Sequence, residues 1–478
     1  MIISPDTDLT TEPKTLEEAL VLINQLRAIV VQLTAALDQK DAAIRDLRKD
    51  SSNSSQAPSQ DKPERERKYP KRETSSKTQG GQKGHKSTAL EQVEDPEEVV
   101  VHELEPCGVC DAEDVKDLEP IIRQEWDVKV VRHVTEHRAQ RRECKCGRRI
   151  ADFPTGVDSH VVWGWTVRTQ TLQALHLSGV PVRVAQDLTQ AAYGTGPSAA
   201  TITAWSSKLA QKLRGDFDKA CVASLNNSAV VHADETPLNV EKYPNAYAHV
   251  AVSDKVVRFH LGGRAKKDIT AGGVIGKNNG RLVSDRLVSY WSTHKGNHQI
   301  CLSHIIRELT FFDQALAPNK EGTPHPVPEI KDISNLLSRG IHEANKARES
   351  GNNPPGSSNY TQQLTTLTNK ATPTLHTMQG KTVKDVQRLL RALDKHNDKG
   401  EVWAFMDDLD TPPTNNAAER ALRPLKVRQR RSGVFRTRSG ANDHLTILGY
   451  IQTAGRNKVT AREALALALS GNPVLPGA

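Results

Sequence analysis

Apolar residues recur every seven positions near the start of the chain. Leu16, Ile23, Val30, Leu37 and Ile44 form one seam, and Ala19, Leu26, Leu33, Lys40 and Leu47 form a second, three residues later each time. Nearly five heptads broken once, at Lys40, predict a coiled coil over residues 16–48, and β-branched residues beside leucine suit a parallel homodimer. An amphipathic helix docked on its own domain is the alternative. Residues 1–15 read as a disordered tail, and 49–100 as a flexible basic linker that runs through SSNSSQAPSQ to the GGQKGHK stretch, Gly80 to Lys86.

The pattern changes twice more. Trp126, Val128 and Val130 alternate with polar residues, which predicts a strand or hairpin inside a small module over 101–155. Residues 160–225 carry helical periodicity. Within them Val184, Leu188, Ile202 and Trp205 are placed to form the small core of a helix-turn-helix with its turn at Gly194 to Pro197; a helical hairpin packed on a larger domain fits as well. From 226 to 312 short β-rich runs take over, with strands expected at 229–234, 246–253, 255–261, 281–285 and 299–302. Three consecutive antiparallel strands, a crossover and further strands in the same sheet give a ribonuclease H-like α/β core. Residues 313–410 read as a helical insertion, with helices near 327–348, 361–370, 381–396 and 400–408. A core helix and basic segment over 411–440 and a helical tail over 441–478 complete the chain. The fold class is therefore multidomain α/β.

Composition sharpens the choice of partner. Aromatic content is 4% and the formal charge is +8, which alone favours an anionic partner only weakly. The distribution is more telling. Arg420, Arg423, Lys426, Arg428, Arg430, Arg431, Arg436 and Arg438 fall in one stretch without an acid, as a DNA-phosphate surface requires. No secretory signal or bilayer-length apolar run is present, and six cysteines are too few for a disulfide scaffold, so the pattern is a reduced, intracellular one with no membrane partner.

Four cysteines make two tight pairs, Cys107-x-x-Cys110 and Cys144-x-Cys146. Four thiolates complete a tetrahedral site for one structural zinc, stapling a module too small to build a core. The second pair is one residue shorter than the usual knuckle, which leaves His102, His133 and His137 as competing ligands. Arg132, Arg138, Arg141 and Arg142 make the module a plausible DNA contact.

Candidate chemistry rests on carboxylates. The first core strand gives out at Asp234, before Thr236-Pro237, and Leu282-Val283 lead into Asp285 in the same manner. An acid at the end of a buried strand is costly unless it is paired or holds a metal. If the two strands are neighbours, ~4.8 Å apart, both carboxylates can share a cation. Glu419 lies inside the basic stretch. Two strand-end aspartates and a distant glutamate beside a phosphate-binding surface point to two-metal phosphoryl chemistry on nucleic acid. Glu419 also has a purely structural reading. With Asn416 as N-cap it stands where a capping box puts its glutamate, which would leave Glu308 or Asp407 as the third acid. Pro424 is expected to end or kink the helix. Cys301-x-x-His304 follows the core strands and reads as a buried cysteine and a helix-starting histidine that buttress the site rather than as a metal pair.

Taken together, the heptads, GGQKGHK, the paired cysteines, HADETPLNV, LVSDRLVSY and NNAAERALRPLKVRQRRSGVFRTRSGA resemble the transposases of the insertion sequence 66 family. The likeness spans nearly the whole chain and is most specific from Asn415 to Ala441. It implies a DDE recombinase with a leucine zipper, a zinc finger and a helical insertion between the second and third acids, which map by motif to Asp234, Asp285 and Glu419. It further implies two Mg²⁺ ions, replaceable by Mn²⁺, that let hydrolysis at transposon ends be followed by joining to target DNA. Its setting would be the bacterial cytoplasm and nucleoid, with accessory transposition proteins as further partners. The chain departs from the family pattern at the short Cys144-Lys145-Cys146 knuckle and at Arg286, where a small residue is expected. A DNA-binding regulator without catalysis, or a nuclease that cuts without joining, would share most of these features.

Overall fold

The computed structural model describes residues 15–48, 90–102, 119–318 and 325–476. Two compact units are present. One comprises 66–136 and the other the rest of the chain. In the smaller unit the backbone N–H and C=O of Val93 are both satisfied by the side chain of Gln124, at 2.8 and 2.7 Å.

In the larger unit α1 is Leu16–Arg48, and the seam residues Ile23, Leu26, Val30 and Leu33 are 45, 42, 60 and 59% exposed. A short hairpin, β1 (Arg141–Cys144) and β2 (Gly147–Ile150), lies where the sequence shows no alternation. No strand forms at Trp126 to Val130, which are exposed. The turn of the hairpin sets its place: Gly147 takes φ 114°, open to glycine and strained for other residues. Four helices follow, α2 (Trp165–His176), α3 (Val182–Tyr193), α4 (Ala199–Leu213) and α5 (Asp216–Asn226). Ile202 is buried, but Val184 and Leu188 are 40 and 53% exposed, so they do not build the helix-turn-helix core expected of them.

A five-stranded mixed sheet is made of β3 (Val230–Pro237), β4 (Tyr247–Val252), β5 (Val257–Gly262), β6 (Arg281–Ser284) and β7 (His298–Ile300) in the order β5-β4-β3-β6-β7. The first three strands are antiparallel; β6 and β7 run parallel to β3. Between β5 and β7 lie α6 (Lys266–Thr270) and α7 (Val288–Thr293), and after β7 comes α8 (Leu302–Leu316). The insertion is helical: α9 (Glu329–Ser350), α10 (Ser358–Thr377), α11 (Lys381–Asp398) and α12 (Ala404–Asp407). The chain closes with α13 (Asn416–Ser432), α14 (Arg438–Arg456) and α15 (Ala461–Ser470). α13 continues through Pro424 and stops at Gly433, φ 64°, so of the two outcomes expected at the proline, an end or a kink, the helix end does not occur there.

Strand periodicity assigns the two faces of the sheet. Val231, Ala233 and Ala251 pack with Leu209, Phe217, Leu225 and Tyr450 of the helices on one side. Ala248, Val250 and Val252 pack on the other with Ala418, Ala421, Leu422 and Leu425 of α13. The register pairs Asp234 with Val250 and His232 with Val252, which puts Asp234 on the α13 face and Glu235 on the opposite one. The insertion has its own core, joined to the end of β7 through Ile300 and Leu302. Its ends are fixed to that edge, where Ile300 N–H donates to Glu401 O at 2.9 Å and Leu302 N–H to Pro413 O at 3.0 Å.

Candidate active site

Asp234 lies three residues before the end of β3 rather than at its end. The strand outruns expectation because β4 pairs with it as far as Pro237, whereas β6 pairs with it only through His232. Asp234 therefore sits just past the point where the parallel neighbour leaves off. One Oδ1 accepts the Glu235 N–H at 2.9 Å. Asp285 follows the last residue of β6, and its Oδ1 accepts the Leu287 N–H at 2.9 Å. Burial, then the charges of Glu235 and Asp285, push the Asp234 carboxyl up to about 7.

Glu419 reaches this neighbourhood from α13. The N-cap of that helix is Asn415, not Asn416, and it makes no side-chain cap bond. The capping box is absent for a physical reason: the Asn415 side chain is already used. Its Nδ2 donates to Ala233 O at 2.8 Å, and its Oδ1 lies 3.2 Å from His232 Nδ1. Glu419 thus falls in the fourth helical position, where its Oε1 is buried without a hydrogen-bond partner. The other carboxylates considered for this place are committed elsewhere. Glu308 accepts from Arg286 at 2.6 Å, and Asp407 accepts the Ser357 N–H at 2.8 Å. The same ion pair accounts for Arg286 beside Asp285, since its guanidinium binds α8.

His304, on the first turn of α8, acts on two of the acids, Asp234 and Glu419. Its Nδ1 is 3.8 Å from Glu419 Oε1 and 3.2 Å from Cys301 Sγ, and its charge acts on Asp234. Burial opposes a charged imidazole there, but Cys301 and then Glu419 outweigh it and raise His304 to about 9. Cys301 is held in place by its own N–H, which donates to Ser284 O at 2.9 Å, and its Sγ accepts the Asn415 N–H at 3.1 Å. Burial works against the thiolate, yet the hydrogen bond and charge of His304 bring the thiol below its usual range. Arg307, one turn further along α8, lies 3.9 Å from Glu419 Oε2. Sequence reasoning missed it, although the spacing Cys301-x-x-His304-x-x-Arg307 repeats at one helical turn. On the other face Glu235 accepts from Arg264 at 3.0 Å and from Tyr290 at 2.7 Å, so its charge is answered locally.

The Asp234 carboxyl, pushed up by burial and by its acidic neighbours, together with a buried Glu419 oxygen that has no hydrogen-bond partner, fits oxygen-binding divalent cations such as Mg²⁺. The basic stretch begins on α13 itself, directly after Glu419, and runs past the end of that helix to Arg438. Arg420, Arg423, Lys426, Arg430, Arg431, Arg436 and Arg438 are exposed, and Arg431 also donates to Ser178 O at 3.0 Å. Arg428 differs from the others. Its guanidinium stacks on Phe435 at 3.4 Å, its Nε and Nη1 are buried without partners, and burial lowers it to about 10. At the hairpin Cys144 and Cys146 are exposed; Cys107 and Cys110 lie outside the described residues. No described helix is long and apolar enough to cross a membrane.

A family model described as Transposase IS66 family matches residues 160–443, and one described as Family of unknown function (DUF6444) matches residues 4–91. No curated protein matches the chain.

Proposed function

Because the chain belongs to the Transposase IS66 family, whose members act in transposition, we propose that it cleaves transposon-end DNA and joins it to target DNA by metal-dependent in-line phosphoryl transfer. The observation that carries this reading is that His304 links Glu419, 3.8 Å away, to Asp234, on whose carboxyl the charges of His304 and Asp285 both act. The strand order and directions support a ribonuclease H-like core as the scaffold. Asp234, Asp285 and Glu419 would hold two Mg²⁺ ions, for which Mn²⁺ can substitute. Bound there, the cations neutralise charge on the attacked phosphodiester and on the leaving oxygen.

The chain's own residues do the rest. Asn415 fixes Glu419 relative to the strand that carries Asp234. Cys301 keeps the His304 imidazole charged 3.8 Å from Glu419, and Arg307 places a second cation 3.9 Å from the same carboxylate. The exposed basic residues of α13 and the segment after it dock duplex phosphates next to the acids. Two further parts belong to the proposal on sequence grounds. The α1 seam makes a homodimer, and Cys107, Cys110, Cys144 and Cys146 bind one structural zinc. Accessory transposition proteins and association with the bacterial nucleoid are part of the same reading.

The test is a supercoiled plasmid bearing the element's ends, incubated with Mg²⁺ and the full chain. Nicking and joined products are expected from the native protein and neither from Asp234→Asn. Nicks without joined product would identify a nuclease, and DNA binding without nicks a regulator; either result overturns the proposal.

A further inference from the structure

We propose that Cys301, His304 and Glu419 form a binding site for one thiophilic divalent cation, of which Zn²⁺ is the natural candidate. A sulfur, a ring nitrogen and a carboxylate oxygen lie within 4.8 Å of one another. His304 Nδ1 is 3.2 Å from Cys301 Sγ and 3.8 Å from Glu419 Oε1. Zinc–sulfur and zinc–nitrogen bonds of about 2.3 and 2.0 Å at tetrahedral angles separate donor atoms by roughly 3.3–3.6 Å. His304 Nδ1 is within about 0.5 Å of that separation from both Cys301 Sγ and Glu419 Oε1, and the third pair lies within 4.8 Å.

The backbone explains why they are so near. Cys301 is the N-cap of α8 and His304 its third residue, so both face the same side of the first turn. Asn415 brings the start of α13 against Cys301 through its N–H, which gives the sulfur a hydrogen bond from outside the three-residue cluster. Metal-bound thiolates keep such outer bonds. A bare Cys–His ion pair accounts for two of the three residues and leaves Glu419 Oε1 buried without a donor. A cation between them satisfies all three.

The donor set decides which cation. Mg²⁺ prefers oxygen and six ligands; a set of thiolate, imidazole and carboxylate selects zinc-like ions and leaves a fourth position open. Glu419 cannot serve this ion and the proposed magnesium pair fully at once. Zinc is therefore expected to inhibit Mg²⁺-dependent cleavage by withdrawing the third acid, and this corollary alone rests on the function proposed above.

Binding is tested without activity. The full chain is stripped with chelator and titrated with Co²⁺, which reports thiolate ligation by a charge-transfer band. Native protein is expected to bind one more cobalt than Cys301→Ser and to show a band component that the variant lacks, whatever the other cysteines contribute to both. Glu419→Gln should keep that component at an affinity lower by ~10-fold or more. Should Cys301→Ser fail to fold, His304→Gln replaces it, with the same lost equivalent expected. Equal stoichiometry and identical spectra for native protein and the folded variant overturn the site. A protein that binds cobalt in this way but never cleaves DNA with Mg²⁺ alone would retain the site and refute the function instead.

Discussion

Asn415 Nδ2 donates to Ala233 O at 2.8 Å, joining residues 182 positions apart. The bond ties the base of α13 to the strand position just before Asp234, so the first and third acids are set against each other by one buried amide. Asn415→Ala orphans the Ala233 carbonyl and loses the contact with His232. The expected cost is ~1–3 kcal/mol in urea denaturation, with a larger proportional loss of cleavage. Wild-type cleavage in a destabilised variant would show that the amide serves stability alone.

Glu419→Gln separates cap from ligand. No capping bond exists to lose, and an amide oxygen carries no charge to offer Mg²⁺. Melting temperature and DNA affinity should stay near native while nicking falls at least ~100-fold, a loss of about 2.7 kcal/mol of transition-state stabilisation. Cleavage within a few-fold of native would move the third acid elsewhere.

His176 and His444 are buried with their Nδ1 atoms 3.0 Å apart, and Ser206 Oγ lies 2.9 Å from His176 Nε2. Burial, then the Arg428 charge, lowers His176 to about 3, and burial with His176 and Arg428 lowers His444 further. A folded pKa below the unfolded one contributes stability that is complete above pH ~6.5 and declines as the pH falls toward the folded value. Between pH 6.5 and 5.5 the pair is expected to cost on the order of 1–3 kcal/mol. His176→Gln should roughly halve that slope in urea melts. An unchanged slope would mean the pair does not set the acid limit.

Arg420 and Arg423 are exposed on α13 and expected to contact phosphates rather than bases. Replacing either with Ala should weaken binding to every duplex and reduce the slope of log K against log salt by ~0.9. Altered sequence preference at constant slope would assign it to base reading.

Leu26 and Leu33 occupy one seam of α1 and are exposed in the single chain. Placing Lys at both should convert a dimer to monomer in light scattering. An unchanged mass would leave the seam without a partner of its own kind.

Much of this was readable in advance because it depends on local periodicity. The heptads of α1, the alternation of β3 to β5 and the helices of the insertion lie close to the expected ranges. Alternation also separates Asp234 from Glu235 by face. The misses have a common origin in contacts across the chain. Arg428 resembles its neighbours in sequence, but the segment after α13 pairs back on the chain just beyond β3, with Phe435 N–H donating to Asn239 O at 2.9 Å, and brings a ring under that one guanidinium. Asn415 looks like a spare cap until β3 supplies an acceptor. The β1–β2 hairpin is set by a glycine turn among charged residues, where no apolar pattern marks it.

The insertion leaves the sheet at Cys301 and returns at Pro413, and the two ends are clasped where Leu302 N–H meets Pro413 O. The distance between the aspartates and the glutamate is consequently independent of how much polypeptide lies between them. Evolution can lengthen, shorten or exchange the intervening helices as a cassette, and selection on the spacing of these carboxylates falls only on the clasp.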